Sequence, residues 1–388
     1  MTRPLTVMLV AAESSGDGLG AGLARALKAR AGAENIRLVG VGGPRMAAEG
    51  IESPFDISEL SVLGWIEGLK AYGRVKRRVA DTVAFARREQ PDVAVLIDSW
   101  GFTIRVAKAL RIALPDVKLV KYVGPQVWAS RPGRARILAE AVDHLLTLHA
   151  FDPPWFEQAG LATTFVGNPS LAIDFSGADG QRFREQHGLA PERPLLLILP
   201  GSRPSEIERM TPLFEATVAR IRETHPDTAV AVVIADTVAA QARAAVAGWP
   251  FRVTLVEGEA AKKDAMKAAT VALACSGTVS TELALAGAPM VIAYRLSGLS
   301  YAIMRPMVTA RHITLFNIAA DERIAPEFVQ NEASPGALAQ AVVARLDDPA
   351  LRRDQVRRQY EALDLMGRGR PDPSAAAAQA VLEVAGRA

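Results

Sequence analysis

The sequence predicts an α/β protein built from two doubly wound halves. Three observations carry that expectation. Apolar runs of strand length recur along the chain, and several end in a Gly- or Ser-rich turn that feeds a helical pattern. The series restarts once, at Leu195, after a connection over 173–194 that holds Gly177, Gly180 and Pro191. The length, 388 residues, is about twice that of a common domain, and 49% apolar residues suffice to fill two cores.

In the first half, Leu5-Thr6-Val7-Met8-Leu9-Val10-Ala11 reads as a buried strand. It runs into Ala12-Glu13-Ser14-Ser15-Gly16-Asp17-Gly18 and then a helix through Leu23 and Leu27, the opening unit of a doubly wound sheet. These glycines do not fit G-x-G-x-x-G, so a dinucleotide fingerprint is weakly supported. Ile36 to Val41 forms a second strand, closed by Gly42-Gly43-Pro44. Residues 60–80 differ in character. Val62, Leu63, Trp65, Ile66 and Leu69 stand at helical spacing and are followed by Arg74, Lys76, Arg77 and Arg78. That pattern suits an interfacial helix, apolar face in lipid and cations toward anionic headgroups. It also suits a core-facing helix with a solvated basic end, and both readings stay open here.

Asp92-Val93-Ala94-Val95-Leu96-Ile97 is a parallel-type strand with Asp98 at its carboxyl end, where ligands of open α/β sheets sit. Asp98 is therefore a candidate base, and an N-cap for a helix over 104–114 is the plainer reading. Leu119 to Val123 is another strand, ending in Gly124-Pro125-Gln126-Val127-Trp128 and the basic Arg131, Arg134 and Arg136. Leu145 to Leu148, a helix from Phe151 to Gly160 and a strand from Thr164 to Pro169 complete this half.

In the second half, Leu195 to Leu199 is followed by Pro200-Gly201-Ser202-Arg203, with Glu206 beyond. An Arg on a Gly-Ser turn after the first strand of an α/β unit suits bidentate phosphate recognition; a surface Arg is the alternative. Thr228–Ile234, Arg252–Leu255 and Val271–Ala274 continue the strands. The last of these turns at Ser276-Gly277-Thr278 into a helix with Glu282 in its first turn. Free backbone N–H groups and the positive end of the helix dipole make that turn an anion site, although ordinary capped helices share the pattern. Pro289–Tyr294 adds a strand, and Ile313-Thr314-Leu315 precedes Asn317. From Ser334, a candidate N-cap before Pro335, the chain is helical until Pro371 and Pro373 break it before a final helix.

Composition narrows the function classes. The single cysteine, Cys275, excludes a disulfide framework and reads as core at the end of a strand. A net charge of +3 permits anionic ligands or an anionic membrane surface without calling for nucleic acid. No run reaches about 18 apolar residues, so a spanning helix is not expected. Glu13 and Asp17 fall where a secretory cleavage region is uncharged, which favours a cytoplasmic protein.

Seven blocks in order resemble the lipid-A-disaccharide synthase family, glycosyltransferases of the two-Rossmann-domain (GT-B) type. They are Ala12-Glu13-Ser14-Ser15-Gly16-Asp17, Gly42-Gly43-Pro44-Arg45-Met46, Tyr122 to Ala129, Leu199-Pro200-Gly201-Ser202-Arg203 with Glu206, Ser276-Gly277-Thr278 with Glu282, Pro289-Met290-Val291, and Leu315-Phe316-Asn317 with Pro326-Glu327 and Gln330. The chain departs from the family pattern at Gly167-Asn168-Pro169, where Gly-His-Pro is usual. It departs also at Ser99-Trp100-Gly101-Phe102, where a Pro and a second acid are expected, and at Ala129-Ser130-Arg131, where a second Trp is usual.

The resemblance implies two Rossmann-like domains facing across a cleft: 1–172 for acceptor and membrane, 173–350 for the UDP-sugar donor, and 351–388 as helices packing back toward the first domain. It implies transfer of a diacylated glucosamine from UDP to the 6-hydroxyl of diacylglucosamine 1-phosphate, with inversion. Gly201, Ser202, Arg203, Ser276, Gly277, Thr278, Glu282, Asn317 and Gln330 would bind the donor. Glu13, Ser14, Ser15, Gly16, Asp17 and Gln126 would face the acceptor. Asp98 would be the base, with Arg203 stabilising the departing diphosphate. No cofactor or metal is expected, and no His/Asp cluster has ligand spacing. Peripheral association with the inner leaflet of the cytoplasmic membrane is expected, and a homodimer is compatible with the sequence. Two other classes stay in view. A GT-B enzyme acting on a soluble UDP-sugar, an epimerase included, would share the second-half blocks but not the apolar 60–80 segment. A membrane protein with a decayed site would not explain why Arg203, Glu282 and Asn317 all remain.

Overall fold

The computed structural model describes residues 3–60, 68–298, 301–302, 305–370 and 372–387. The chain divides into two compact units, Met1–Pro169 with Arg370–Ala388, and Ser170–Gly369. Val62, Leu63, Trp65 and Ile66 of the apolar segment lie outside the described residues, as does the side chain of Leu69.

Unit one runs β1 (Leu5–Val10), α1 (Ser14–Ala31), β2 (Ile36–Val41), α2 (Pro44–Ala47), α3 (Gly68–Glu89), β3 (Val93–Ile97), α4 (Trp100–Ala113), β4 (Lys118–Tyr122), α5 (Arg134–Ala139), β5 (His144–Thr147), α6 (Pro153–Glu157) and β6 (Ala162–Phe165). Its six strands are all parallel, in the order β2-β1-β3-β4-β5-β6. A parallel sheet is covered on both faces, which is why β3, and β1 apart from Thr6, read as apolar runs and are buried at every residue.

Unit two runs α7 (Gly180–Gln186), β7 (Leu195–Leu199), α8 (Pro204–Thr224), β8 (Ala229–Ile234), α9 (Ala239–Ala247), β9 (Thr254–Glu257), α10 (Glu259–Ala268), β10 (Val271–Cys275), α11 (Val279–Ala286), β11 (Met290–Tyr294), α12 (Leu315–Ala320), β12 (Glu327–Val329), α13 (Pro335–Asp347) and α14 (Pro349–Leu365). Its sheet is also parallel throughout, ordered β12-β11-β10-β7-β8-β9. The Ser334 hydroxyl accepts from the Ala337 N–H and the Asp348 carboxylate from those of Ala350 and Leu351, capping α13 and α14 ahead of a proline at each start.

Of the residues beyond 350, α14 belongs to unit two, whereas α15 (Pro373–Val384) belongs to unit one and packs along α1. Ala377, Ala378, Val381 and Leu382 of α15 share a core with Leu23, Ala24 and Leu27 of α1. Each large side chain buried there contributes about 1.5–3 kcal/mol, so this return of the chain is an integral part of the unit.

Several boundaries differ from those expected. The ninth strand lies at Thr254–Glu257, two residues later than the apolar pattern suggested. Helix α4 begins at Trp100 rather than Ile104, because Asp98 and Ser99 both take left-handed backbone conformations (φ 47° and 40°) and turn the chain at once. In this turn Ser99, not Asp98, occupies the N-cap position, and its side chain makes no cap bond. Val75, Val79 and Val83 of α3 pack on the unit-one core, while Arg74, Lys76 and Arg77 are exposed. Arg78 is taken by Glu59 and Asp81 and lies over the Phe55 ring.

Candidate active site

Strand order and helix placement locate a crevice in each sheet. In unit one, α1 follows β1 and packs with Val7 and Leu9 on one face. Helix α4 follows β3 and packs with Met8 and Val10 on the other. β1 and β3 are neighbours, so their outgoing loops part at the carboxyl edge, the topological switch point where open α/β sheets bind ligands. Unit two repeats the geometry. Helix α8 follows β7 and packs with Leu196 and Ile198; α11 follows β10 and packs on the opposite face with Leu195 and Leu197. β7 and β10 are adjacent.

The sequence-selected residues of unit one gather at its switch point. The Ser15 hydroxyl donates to the Asp98 carboxylate at 3.1 Å, and the Ser99 hydroxyl donates to the Glu13 carboxylate at 3.0 Å. The β1–α1 and β3–α4 loops are therefore laced together across the crevice. Glu13, Ser14 and Ser15 are exposed and Asp98 is half-buried, so these groups are open to a ligand. Asp17 is different. It is 1% exposed, and its carboxylate accepts from the backbone N–H groups of Gly43, Arg45 and Met46 at 2.7–3.0 Å. It clamps α1 to the β2–α2 turn. Gly16 is buried against the backbone of Ile97, and Gln126 is exposed in the loop after β4.

One residue at this site is hidden from sequence reasoning. Lys121 on β4 is 2% exposed, and its ammonium donates to the Asp98 carbonyl and, at 3.0 Å, to the Thr103 hydroxyl. Burial pushes its pKa down to about 7, against the pull of Asp98. A lysine inside an otherwise apolar strand was the available signal. Nearby in unit one, Asp152 accepts from Trp128 Nε1 at 2.8 Å and from the His149 N–H, and burial lifts its pKa to about 6.

At the unit-two switch point, Glu206 organises the β7–α8 loop. It is 6% exposed; one oxygen accepts from the Ser202 and Arg203 N–H groups and the other from the Arg203 guanidinium at 2.8 Å. The Arg203 side chain remains 72% exposed, a cation braced at its base and free at its edge. Gly201 is required here: φ is +127°, and a Cβ would sit 2.5 Å from that of Glu206. Across the crevice, Ser276-Gly277-Thr278 leads into α11, and the Gly277 and Thr278 N–H groups find no backbone acceptor among the described residues. That is an anion-ready turn beside an exposed arginine. Cys275 is buried, and desolvation raises its pKa, which leaves it inert core.

The remaining donor-side residues are more strongly committed to the fold. Glu282 is ion-paired with Lys262 at 2.9 Å. Asn317 is fully buried, its amide donating to the Ala325 carbonyl and accepting from the Ile324 and Ala325 N–H groups. Gln330 accepts from the Leu296 N–H at 2.6 Å. These last two hold the loops around β11 and β12 in shape.

Two Rossmann-like parallel units, each with polar groups gathered at its switch point, define a protein of the GT-B class. Solved structures of similar fold include the S. aureus MnaA-UDP co-structure (TM-score 0.62, 13% identity, 96% of this chain and 94% of that one). Another is a putative UDP-N-acetylglucosamine 2-epimerase from Listeria monocytogenes (TM-score 0.62, 15% identity, 98% and 95%). Residues 7–381 match the family described as Lipid-A-disaccharide synthetase. The lipid-A-disaccharide synthase of Rhodospirillum centenum is 42% identical over 382 residues, covering 98% of this chain and 95% of the relative. The chain belongs to the lipid-A-disaccharide synthase family and is a glycosyltransferase of lipid A synthesis. None of the described helices is long and apolar enough to cross a membrane.

Proposed function

We propose that the enzyme transfers 2,3-diacylglucosamine from its UDP derivative to the 6-hydroxyl of 2,3-diacylglucosamine 1-phosphate, with inversion at the anomeric carbon, releasing UDP. The observation that carries this reading is the exposed Arg203 braced by Glu206 beside the open turn at Ser276-Gly277-Thr278. Guanidinium and helix N-terminus together suit a diphosphate, and they stabilise the charge that grows on it as UDP leaves. Glu282 stands in the first turn of the same helix for the ribose hydroxyls, with Lys262 holding its carboxylate. Asn317 and Gln330 would line the donor pocket through the loops that they hold in shape.

In the chemical step the acceptor oxygen forms a bond to the anomeric carbon while the bond from that carbon to the diphosphate breaks. UDP takes the electron pair, and the hydroxyl proton passes to Asp98. Asp98 is favoured over Asp17 because its carboxylate is half-buried and accepts from the Ser15 hydroxyl, whereas the Asp17 carboxylate is spent on three backbone N–H groups. Glu13, Ser14, Ser15 and Gln126 are the polar groups of unit one available to orient the acceptor. Membrane association falls to the 60–80 segment, with the exposed Arg74, Lys76 and Arg77 attracting anionic headgroups.

The test is an assay of the purified chain with both diacylated substrates, following UDP release and the configuration of the new linkage by NMR. UDP release with an inverted linkage supports the reading. Hydrolysis of the donor alone, epimerisation, or a retained configuration contradicts it.

A further inference from the structure

Unit two has an open surface depression of about 610 Å³ at the amino-terminal edge of its sheet, the opposite end of the strands from Gly201 and Ser276. Thr270 and Pro289, which immediately precede β10 and β11, form part of its floor. Four arginines line it: Arg184, Arg352, Arg353 and Arg357, with Tyr360 among them.

Their charges are poorly compensated. Arg357 is paired with Asp354 and Glu361. Among the described residues, Arg184 donates only to carbonyl oxygens, those of Ala190, Arg193 and Ala268, and Arg352 only to those of Arg345 and Leu346. Arg353 is exposed and enters no hydrogen bond or ion pair among the described residues. Three guanidinium groups thus share one depression without a carboxylate hydrogen-bond or ion-pair partner among the described residues. Partial burial lowers the Arg184 pKa, opposed by Glu192, which marks a cation with too few counter-charges.

Helix-end electrostatics explain only Arg184, whose contact with the Ala268 carbonyl complements the carboxyl end of α10. Arg352 and Arg353 stand on the second turn of α14, next to an amino end that is already positive. A planar guanidinium presents paired N–H donors that match phosphate oxygens, and several around one depression match a phosphate ester or diphosphate. Tyr360, Val356 and Pro289 add an apolar wall for whatever the phosphate carries.

We propose that this open depression is a second anion site, taking a phosphate-bearing ligand, separate from the donor site at the other edge of the same sheet. The chemistry is common to a free phosphate compound and to an anionic lipid headgroup. The site stands independently of the reaction proposed above.

The test uses the full chain and inorganic pyrophosphate as probe, titrated by calorimetry with UDP saturating. The wild-type chain and Arg203→Ala are expected to bind it alike. The double variant Arg352→Gln, Arg353→Gln is expected to bind at least tenfold more weakly. Arg353→Gln alone, at a side chain that supports nothing in the fold, should weaken binding severalfold with an unchanged melting temperature. Sedimentation with phosphatidylglycerol vesicles, against phosphatidylcholine vesicles, separates the sources. Weaker partition of the double variant than of wild type assigns the headgroup; equal partition with lost pyrophosphate binding assigns the free compound. Wild-type protein that binds no pyrophosphate, or a double variant with wild-type affinity for it, overturns the proposal. So does loss of that binding in Arg203→Ala alone, which would return the probe to the donor site.

Discussion

The buried Lys121 ammonium donates to the main-chain carbonyl of Asp98, so the carboxylate at the end of β3 is positioned through its own backbone by a lysine on the adjacent strand. Asp98 and Ser99 are consecutive non-glycine residues in the left-handed region, each costing on the order of 1 kcal/mol or more. Lys121 and Thr103 hold that turn from below: Thr103 donates to the Asp98 carbonyl at 2.8 Å and accepts from Lys121.

Lys121 makes stability depend on pH in a defined direction. Its folded-state pKa, about 7, lies below the unfolded value near 10.5. Between those values the unfolded chain binds the extra proton, so the cost of burying the ammonium is fully present below pH 7 and is relieved as pH rises toward 10.5. Wild-type stability should therefore rise relative to Lys121→Met by up to about 1.4 kcal/mol per pH unit over that window. Urea denaturation of both chains from pH 6 to pH 9.5 measures it. A gap that does not change with pH contradicts a lysine buried in this state.

Arg203→Ala should lower turnover by orders of magnitude, a loss of roughly 3 kcal/mol or more of transition-state stabilisation, because in the proposed donor site it removes the charge that would face the developing diphosphate. The side chain is 72% exposed, so the melting temperature should hold. Steady-state kinetics beside thermal melts separate the two effects, and near-normal kinetics would take Arg203 out of the site.

The basic face of α3 gives a prediction for lipid. Lys76 and Arg77 are exposed and enter no ion pair among the described residues. Each basic group near an anionic surface contributes about 1 kcal/mol, so Lys76→Gln with Arg77→Gln should weaken binding to anionic vesicles on the order of 30-fold at unchanged stability. Vesicle sedimentation reads the partition, and equal partition removes α3 from the membrane face.

Much of the fold was legible because buried parallel strands declare themselves as apolar runs and each is followed by a turn and a helix. What failed to show was short or polar. β12 spans three residues, and its Glu327 is buried, accepting from the Thr314 N–H and hydroxyl and the Ile313 N–H, so no apolar pattern marks it. The site was legible in location more than in role. A polar residue beyond a strand looks the same in sequence whether it meets a ligand, as the exposed Arg203 can, or staples a loop, as Asp17 and Asn317 do. Lys121 stayed hidden because its partners are a backbone carbonyl and a hydroxyl brought beside it by the fold, which sequence spacing does not reveal.

Asp98→Asn tests the division of work between the two switch points most directly. The change keeps the shape and the acceptor for Ser15 while removing the basicity. Turnover should fall by about 10²–10⁴-fold while affinity for UDP, which the proposed donor site assigns to unit two, stays at the wild-type value. Wild-type turnover in Asp98→Asn, or a loss of UDP affinity in its place, would contradict the account.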